Sequence, residues 1–101
     1  YFEAEREKYR QQVVAALMWL SRFHHDLGDQ TGAETALTRA VELAPTEEEA
    51  YIALMRHQRQ VGRPERIRQV YWDCRKALKA YLGMTPSPEF ETAYAAIAKG
   101  A

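Results

Sequence analysis

Two adjacent histidines followed by an aspartate are the first side chains in this sequence that could do chemistry. His24, His25 and Asp26 have the types that ligate metals or carry protons. Adjacent residues on a helix point about 100° apart, however, so neighbouring histidines rarely share one ion. His57 is distant in the sequence, and no cluster of Cys or Glu completes a site. We therefore expect no bound metal.

The single cysteine, Cys74, is the other candidate for covalent chemistry. It lies on an apolar stripe, which favours a buried small hydrophobe over a nucleophile. One cysteine excludes an internal disulfide and is typical of a reducing cytoplasm, where we expect the protein to be. The sequence has no G-x-S-x-G motif, no glycine-rich phosphate loop and no paired catalytic carboxylates. We expect neither an enzyme nor a cofactor.

Arginines at helical spacing suggest binding rather than catalysis. Arg22 and Arg56 are 34 residues apart, and such arginines on neighbouring helices could hold a carboxylate or an acidic peptide through bidentate hydrogen bonds. The alternative is that they pair with Glu49 or Asp26 on a solvated face. The residues predicted to share the inner face of the first and third helices are Met18, Arg22, His25, Ile52, Arg56 and Arg59.

Large aromatic residues in the first helix are a further candidate for partner contact. The run VVAALMWL is apolar nearly all round, so it needs cover on more than one side. Leu17 and Leu20 are predicted to face the second helix, leaving Trp19 and Phe23 directed elsewhere. These two either contact residues 1–12 or the last helix, or dock a second copy or an upstream domain.

Composition narrows the class of protein. The chain has 101 residues, 47% hydrophobic and 28% charged, as expected of one globular domain over residues 1–101. It begins at Tyr1 rather than Met, so we expect a fragment of a longer protein. We expect no membrane span and no signal peptide.

The first fifty residues carry ten acidic and five basic side chains, and the remainder four and nine. A net charge of zero makes general nucleic-acid binding unfavourable, because such binding needs several phosphate contacts.

Apolar spacing and punctuating residues predict five helices, over residues 2–27, 30–44, 47–61, 64–82 and 88–99. Glycines 28, 62 and 83 are predicted to end the first, third and fourth helices. Asp29 and Ser87 are predicted N-caps, and Thr46 with Glu49 has the spacing of a capping box. Pro64 and Pro88 are predicted at first helical positions, so that the segment after Gly83 gives the last helix a fixed entry angle.

An internal period of 34 residues relates these helices. Gly28 corresponds to Gly62, and Leu37 and Ala40 correspond to Tyr71 and Cys74. Paired helices at this period are typical of tetratricopeptide repeats. The sequence therefore predicts an all-α, right-handed, TPR-like array of antiparallel helical hairpins, with the last of about five helices covering the open end.

The segment from Leu27 to Phe90 resembles the bacterial transcriptional activator domain of SARP-type regulators. The resemblance depends on Gly28-Asp29, the run from Pro45 to Ala50, Gly62-Arg63, the helix from Tyr71 to Leu78, and above all Leu82 to Glu89, and it covers residues 10–98. It implies a role in transcription regulation beside a winged-helix DNA-binding domain. The implied partners are that domain, a second copy or RNA polymerase, with DNA contacted only through the other domain and no membrane. The alternative is an adaptor that binds an acidic peptide on its concave face.

Overall fold

The computed structural model describes residues 2–100, and for Phe2 only the backbone. Within these residues the chain forms five α-helices: α1 (Phe2–Asp26), α2 (Gln30–Leu43), α3 (Glu48–Gln60), α4 (Glu65–Leu82) and α5 (Pro88–Ala98). All five lie within one residue of the predicted bounds. Helix α1 packs on α2 and α3, α3 packs on α4 and α5, and α5 also contacts α4. In the described part of the chain, no helix combines the length and apolarity needed to cross a membrane.

The two glycine turns have the same backbone geometry, which confirms the predicted repeat. Gly28 and Gly62 have φ angles of 78° and 77°, in the left-handed region that glycine adopts without strain. The backbone amide of Asp29 donates to the carbonyl of His24 at 2.8 Å. In the second turn, the backbone amide of Arg63 donates to the carbonyl of Gln58 at 2.9 Å. These bonds are related by the 34-residue period, so both hairpins close in the same way.

The core lies between α3 and its neighbours. Phe90, Met55 and Cys74 are its largest fully buried side chains, and Tyr71 stacks on both Phe90 and Tyr94. Small residues allow close approach in the first hairpin, where Ala40 is fully buried. Helix α5 therefore covers α3 and α4, as the sequence predicts for a terminal helix.

Most predicted helix ends are confirmed. The Asp29 carboxylate accepts a hydrogen bond from the amide of Gly32, and the Ser87 hydroxyl accepts one from Phe90. Gly83 ends α4 with a φ of 64°. Pro88 is the first residue of α5, as predicted. The non-helical segment between α4 and α5 therefore sets the direction in which α5 enters the core.

Two details of the helix starts were predicted wrongly. The capping box of Thr46 and Glu49 does not form, because α3 begins one residue later and its N-cap is Glu47, without a side-chain cap hydrogen bond. Pro64 is the N-cap of α4 rather than its first helical residue. Differences of one residue are ordinary at helix ends.

Helix α1 extends well beyond the hairpin that it forms. One period before Glu48, the first residue of α3, is Val14, so α1 begins twelve residues earlier than its counterpart. This overhang corresponds to about three turns, or about 18 Å. Every side chain from Glu3 to Gln12 is exposed. Residues 3–12 therefore make no contribution to the core.

Candidate protein-interaction surfaces

A groove between α1 and α3 brings together most of the predicted contact residues. Its volume is about 600 Å³, and its floor includes Ala33, Leu37 and Ala53. We call it the α1–α3 groove. Six of the eight predicted contact residues line it: Met18, Trp19, Arg22, Phe23, His25 and Arg56.

Ile52 and Arg59 do not line this groove, contrary to the prediction. Ile52 is 8% exposed and belongs to the main core cluster. Arg59 turns towards the end of α5, where its guanidinium donates hydrogen bonds to the carbonyls of Ile97 and Ala98 at 2.8–3.1 Å. The 34-residue period placed both residues on the inner face, but it did not show that α5 would cover that side of α3.

An exposed aromatic pair forms one wall of the groove. The rings of Trp19 and Phe23 stack with centroids 5.8 Å apart and planes inclined by 10°. Trp19 is 59% exposed and Phe23 is 46% exposed. Of the described helices, only α2 and α3 pack on α1, so neither the last helix nor a folded-back segment covers the pair. Large exposed aromatics at a concave surface are typical anchors for a protein partner.

Arg22 of α1 and Arg56 of α3 line the α1–α3 groove from opposite sides, and neither is paired with an acidic side chain of the described residues. Within residues 2–100, neither Arg22 nor Arg56 has a carboxylate oxygen within 4.0 Å, and both side chains are exposed. Asp26 and Glu49 line the same groove but do not form the ion pairs considered from the sequence. Both guanidinium groups can therefore donate hydrogen bonds to an external carboxylate.

Two of the three histidines lie next to a carboxylate of the same chain. Nδ1 of His24 lies 3.0 Å from the Asp29 carboxylate, and Nε2 of His57 lies 3.3 Å from Glu34, in both cases without hydrogen-bond geometry. His25 is exposed and lines the α1–α3 groove. In the part of the chain that is described, no three His, Cys, Asp or Glu side chains are grouped to hold a metal ion.

Cys74 lies in the core, as the apolar stripe predicts. Its side chain is fully buried, and burial together with the negative charges of Glu48 and Glu91 raises the pKa of the thiol to about 12. A thiol held in the neutral form is a poor nucleophile.

Comparison with known families agrees with the structure. The family described as bacterial transcriptional activator domain matches residues 1–98. The chain belongs to this family. No curated protein and no solved structure matches it. The match includes all of α1, whereas the resemblance seen in the sequence covers residues 10–98, so the long first helix is part of the activator domain.

Membership places this activator domain in transcription regulation. The family description names a regulatory unit rather than a catalytic one. The TPR-like, all-α prediction is confirmed by the family together with the helices of the structure.

One structural feature of the activator domain was not predicted from the sequence: side chains of α3 bind both ends of α5. The Glu48 carboxylate accepts hydrogen bonds from the Ser87 hydroxyl at 2.6 Å and the Ser87 amide at 2.8 Å. Arg59 binds the carboxyl end of α5, as described above. Negative charge at a helix N-terminus and positive charge at its C-terminus are both favourable. Partners 38 or 39 residues apart leave no local signal, which explains why the pattern did not reveal them.

Proposed function

We propose that this activator domain is a non-catalytic protein-contact unit of a bacterial transcriptional regulator, acting in the cytoplasm beside a winged-helix DNA-binding domain of the same regulator. Its partner is that domain, a second copy or RNA polymerase. The family supports the regulatory role. The exposed, stacked pair of Trp19 and Phe23 is the observation that carries the contact role. Burying one such side chain against a partner contributes about 2–3 kcal/mol.

Alanine substitutions in the regulator that contains this domain test the proposal. We expect Trp19→Ala and Phe23→Ala each to reduce activation of a reporter gene, because each removes an apolar anchor. DNA binding by the winged-helix domain alone should be unaffected. Trp72→Ala is the matched control, since Trp72 is also exposed, at 43%, but lies on α4. Unchanged activation in both α1 variants would contradict the proposal.

An adaptor function is the second candidate, favoured by the unpaired arginines. Arg22 and Arg56 line a groove of about 600 Å³ with an apolar floor, which suits an extended acidic peptide. Titration of a Glu-rich peptide should show binding that weakens with salt and is lost in Arg56→Glu. Arg39→Glu is the control, because Arg39 is exposed on α2 and does not line this groove. Equal binding by both variants would exclude the arginine site.

A further inference from the structure

Helix α4 is the one helix within residues 2–100 that has an excess of basic side chains. It carries five arginines and lysines against two acids, whereas each of the other four helices has at least as many acidic side chains as arginines and lysines. Positive charge is therefore concentrated on a single element, although the whole chain has no net charge. A basic stripe along one helix is the electrostatic mark of contact with nucleic acid.

Four of these basic side chains lie along the solvent side of α4. We call them the α4 stripe: Arg68, Arg75, Lys76 and Lys79. The opposite side of the helix is buried, through Ile67, Val70, Tyr71, Cys74 and Leu78. The fifth cation, Arg66, lies 3.5 Å from Glu34 of α2. The stripe extends over about 17 Å of helix, and a DNA strand carries a phosphate about every 3.4 Å, so the stripe is long enough to lie beside several phosphates.

Acidic side chains of the fold neutralise the α4 stripe poorly. Within residues 2–100, no carboxylate oxygen lies within 4.0 Å of Arg68 or Lys79, and each of the other two members has a carboxylate only at 3.8 Å. A groove of about 460 Å³ beside the stripe includes three of its members and no acidic residue. The α1–α3 groove, in contrast, includes Asp26 and Glu49. The α4 stripe is therefore a surface for external negative charge.

Aromatic side chains hold the guanidinium of Arg75 in place. It lies 5.1 Å from the centre of the Trp72 ring and donates a hydrogen bond to the Tyr71 hydroxyl at 3.1 Å. Tyr71 is buried and stacks on Phe90, so this cation is tied to the core. A cation that is already positioned loses less side-chain entropy when it binds an anion.

We propose that the α4 stripe binds the sugar-phosphate backbone of duplex DNA, next to the segment bound by the winged-helix domain. The inference rests on the proposed function, since that domain brings the DNA close. It departs from the expectation that DNA is contacted only through the other domain. Arginine and lysine bind phosphates without reading the base sequence. Four such contacts on a chain without net charge add to binding by the whole regulator and are too few for this domain alone.

An acidic protein segment is the less favourable occupant of the α4 stripe. Lysine is depleted at protein–protein interfaces, and charged residues are few at their centres. Two of the four members are lysines, and Trp72, the aromatic residue between them and Arg68, already lies against Arg75. The composition of the stripe therefore favours phosphates over a protein partner.

The salt dependence of DNA binding by the regulator that contains this domain tests the contact. The probe is a labelled duplex of a promoter that the regulator activates, titrated between about 50 and about 200 mM salt. Each phosphate contact that is lost reduces the slope of log affinity against log salt by about 0.9. Arg68→Gln combined with Lys79→Gln should therefore lower the affinity and reduce the slope by about 2, for the promoter and for an unrelated duplex alike.

A charge-matched control separates a local contact from a change in net charge. Lys8→Gln combined with Arg39→Gln removes two charges from exposed positions on α1 and α2, and this variant should keep the slope of the unmodified regulator. Circular dichroism of both double variants establishes that they remain folded. Equal slopes in the two would overturn the inference. Loss of binding to a Glu-rich peptide in the stripe variant, with an unchanged slope for DNA, would assign the stripe to an acidic protein and also overturn it.

Site-directed DNA cleavage tests whether α4 lies beside the DNA. An iron chelate is attached to Ala80→Cys, next to Lys79, or to Ala15→Cys on α1, which does not contact α4 in the described residues. Cys74 is fully buried and does not take up the reagent, and cysteines outside this domain are replaced by serine. We expect cleavage of the promoter from position 80 and none from position 15. Cleavage from neither position, or equal cleavage from both, would contradict the inference.

These outcomes separate the inference from the proposed function. Reduced activation in Trp19→Ala and Phe23→Ala, together with an unchanged salt slope in the stripe variant, would retain the contact role of α1 and disprove the DNA contact. A reduced slope in the stripe variant, with full activation in both α1 variants, would support the DNA contact and contradict the role of α1. Trp72→Ala keeps all four charges of the stripe and remains the control for the aromatic pair.

Discussion

Burial gives two side chains of the core ionisation properties that they would not have in water. Cys74 is fully buried and Tyr51 is 5% exposed, with its hydroxyl donating a hydrogen bond to the carbonyl of Pro45 at 2.8 Å. Removal from water disfavours the charged form of both groups and raises each pKa to about 12, from 9.0 for the thiol and 10.0 for the phenol. Both therefore stay protonated in the folded protein at alkaline pH values at which they would ionise in water.

This ionisation predicts a loss of stability in alkaline solution. In the unfolded chain the thiol ionises near pH 9 and the phenol near pH 10, whereas the folded protein holds both protons up to about pH 12. These two groups should thus add no pH dependence to the free energy of unfolding below about pH 9 and should lower it as the pH rises from there towards 12. Urea unfolding at several pH values measures it. A flat profile above pH 9 would contradict the prediction, and Cys74→Ala should make the decline shallower.

The same burial predicts an unreactive thiol. Cys74 should not react with a thiol reagent at pH 8 in the native protein and should react fully in denaturant, because the reagent needs an accessible thiolate. An Ala80→Cys variant is the control, since residue 80 is exposed on α4 and its thiol should react at once. Rapid reaction of native Cys74 would show that the core around it opens locally.

At the scale of the elements, α5 is held by polar contacts as well as by its apolar face. Phe90 and Ile97 bury their side chains, while Glu48 and Arg59 bind the two ends of the helix. The start of α5 lies at the start of α3 and its end at the end of α3, so the two helices run parallel. Helix α5 thereby occupies the place of the first helix of a third hairpin, which is how it closes the array.

The guanidinium at the end of α5 should have a measurable effect on stability. Arg59→Met keeps most of the aliphatic stem but removes three hydrogen bonds to the carbonyls of Ile97 and Ala98. We expect the free energy of unfolding to fall by about 1–3 kcal/mol. Arg56→Met, on the same helix and exposed, should change it by less than about 0.5 kcal/mol. Equal changes in urea unfolding would show that the contacts with α5 contribute nothing.

At the scale of the whole molecule, local signals predicted the helices and the period predicted their stacking. Glycine and capping residues act within one turn, which is why all helix bounds were found to within one residue. The spacing of apolar residues did not show which faces of the helices are covered by another helix. Leu27 and Tyr81 continue the apolar patterns of α1 and α4, yet they are 67% and 69% exposed, because no described helix packs over them.

The candidate contact residues likewise fall into a group whose position the sequence predicted correctly and a group whose position it did not. Six contact residues lie together because they share α1 or the period that relates α1 to α3. Ile52 and Arg59 follow the same period but face α5, whose position depends on contacts 38 or more residues apart. Helix α4 also differs from α2 in length, since it continues to Leu82, past the position one period after the end of α2 at Leu43. Long-range contacts of this kind are visible only in the folded chain.

The two ends of the molecule should differ sharply in their effect on folding. Removing residues 1–8 deletes only part of the overhang of α1, where every described side chain from Glu3 is exposed, so the free energy of unfolding should change by less than about 0.5 kcal/mol. Ending the chain at Gly83 removes Phe90, and loss of one such buried aromatic alone costs about 3–5 kcal/mol. That cost approaches the whole stability of a small domain, so the shortened chain should be unfolded by circular dichroism. Retention of a cooperative thermal transition without α5 would show that α1–α4 form a stable core alone.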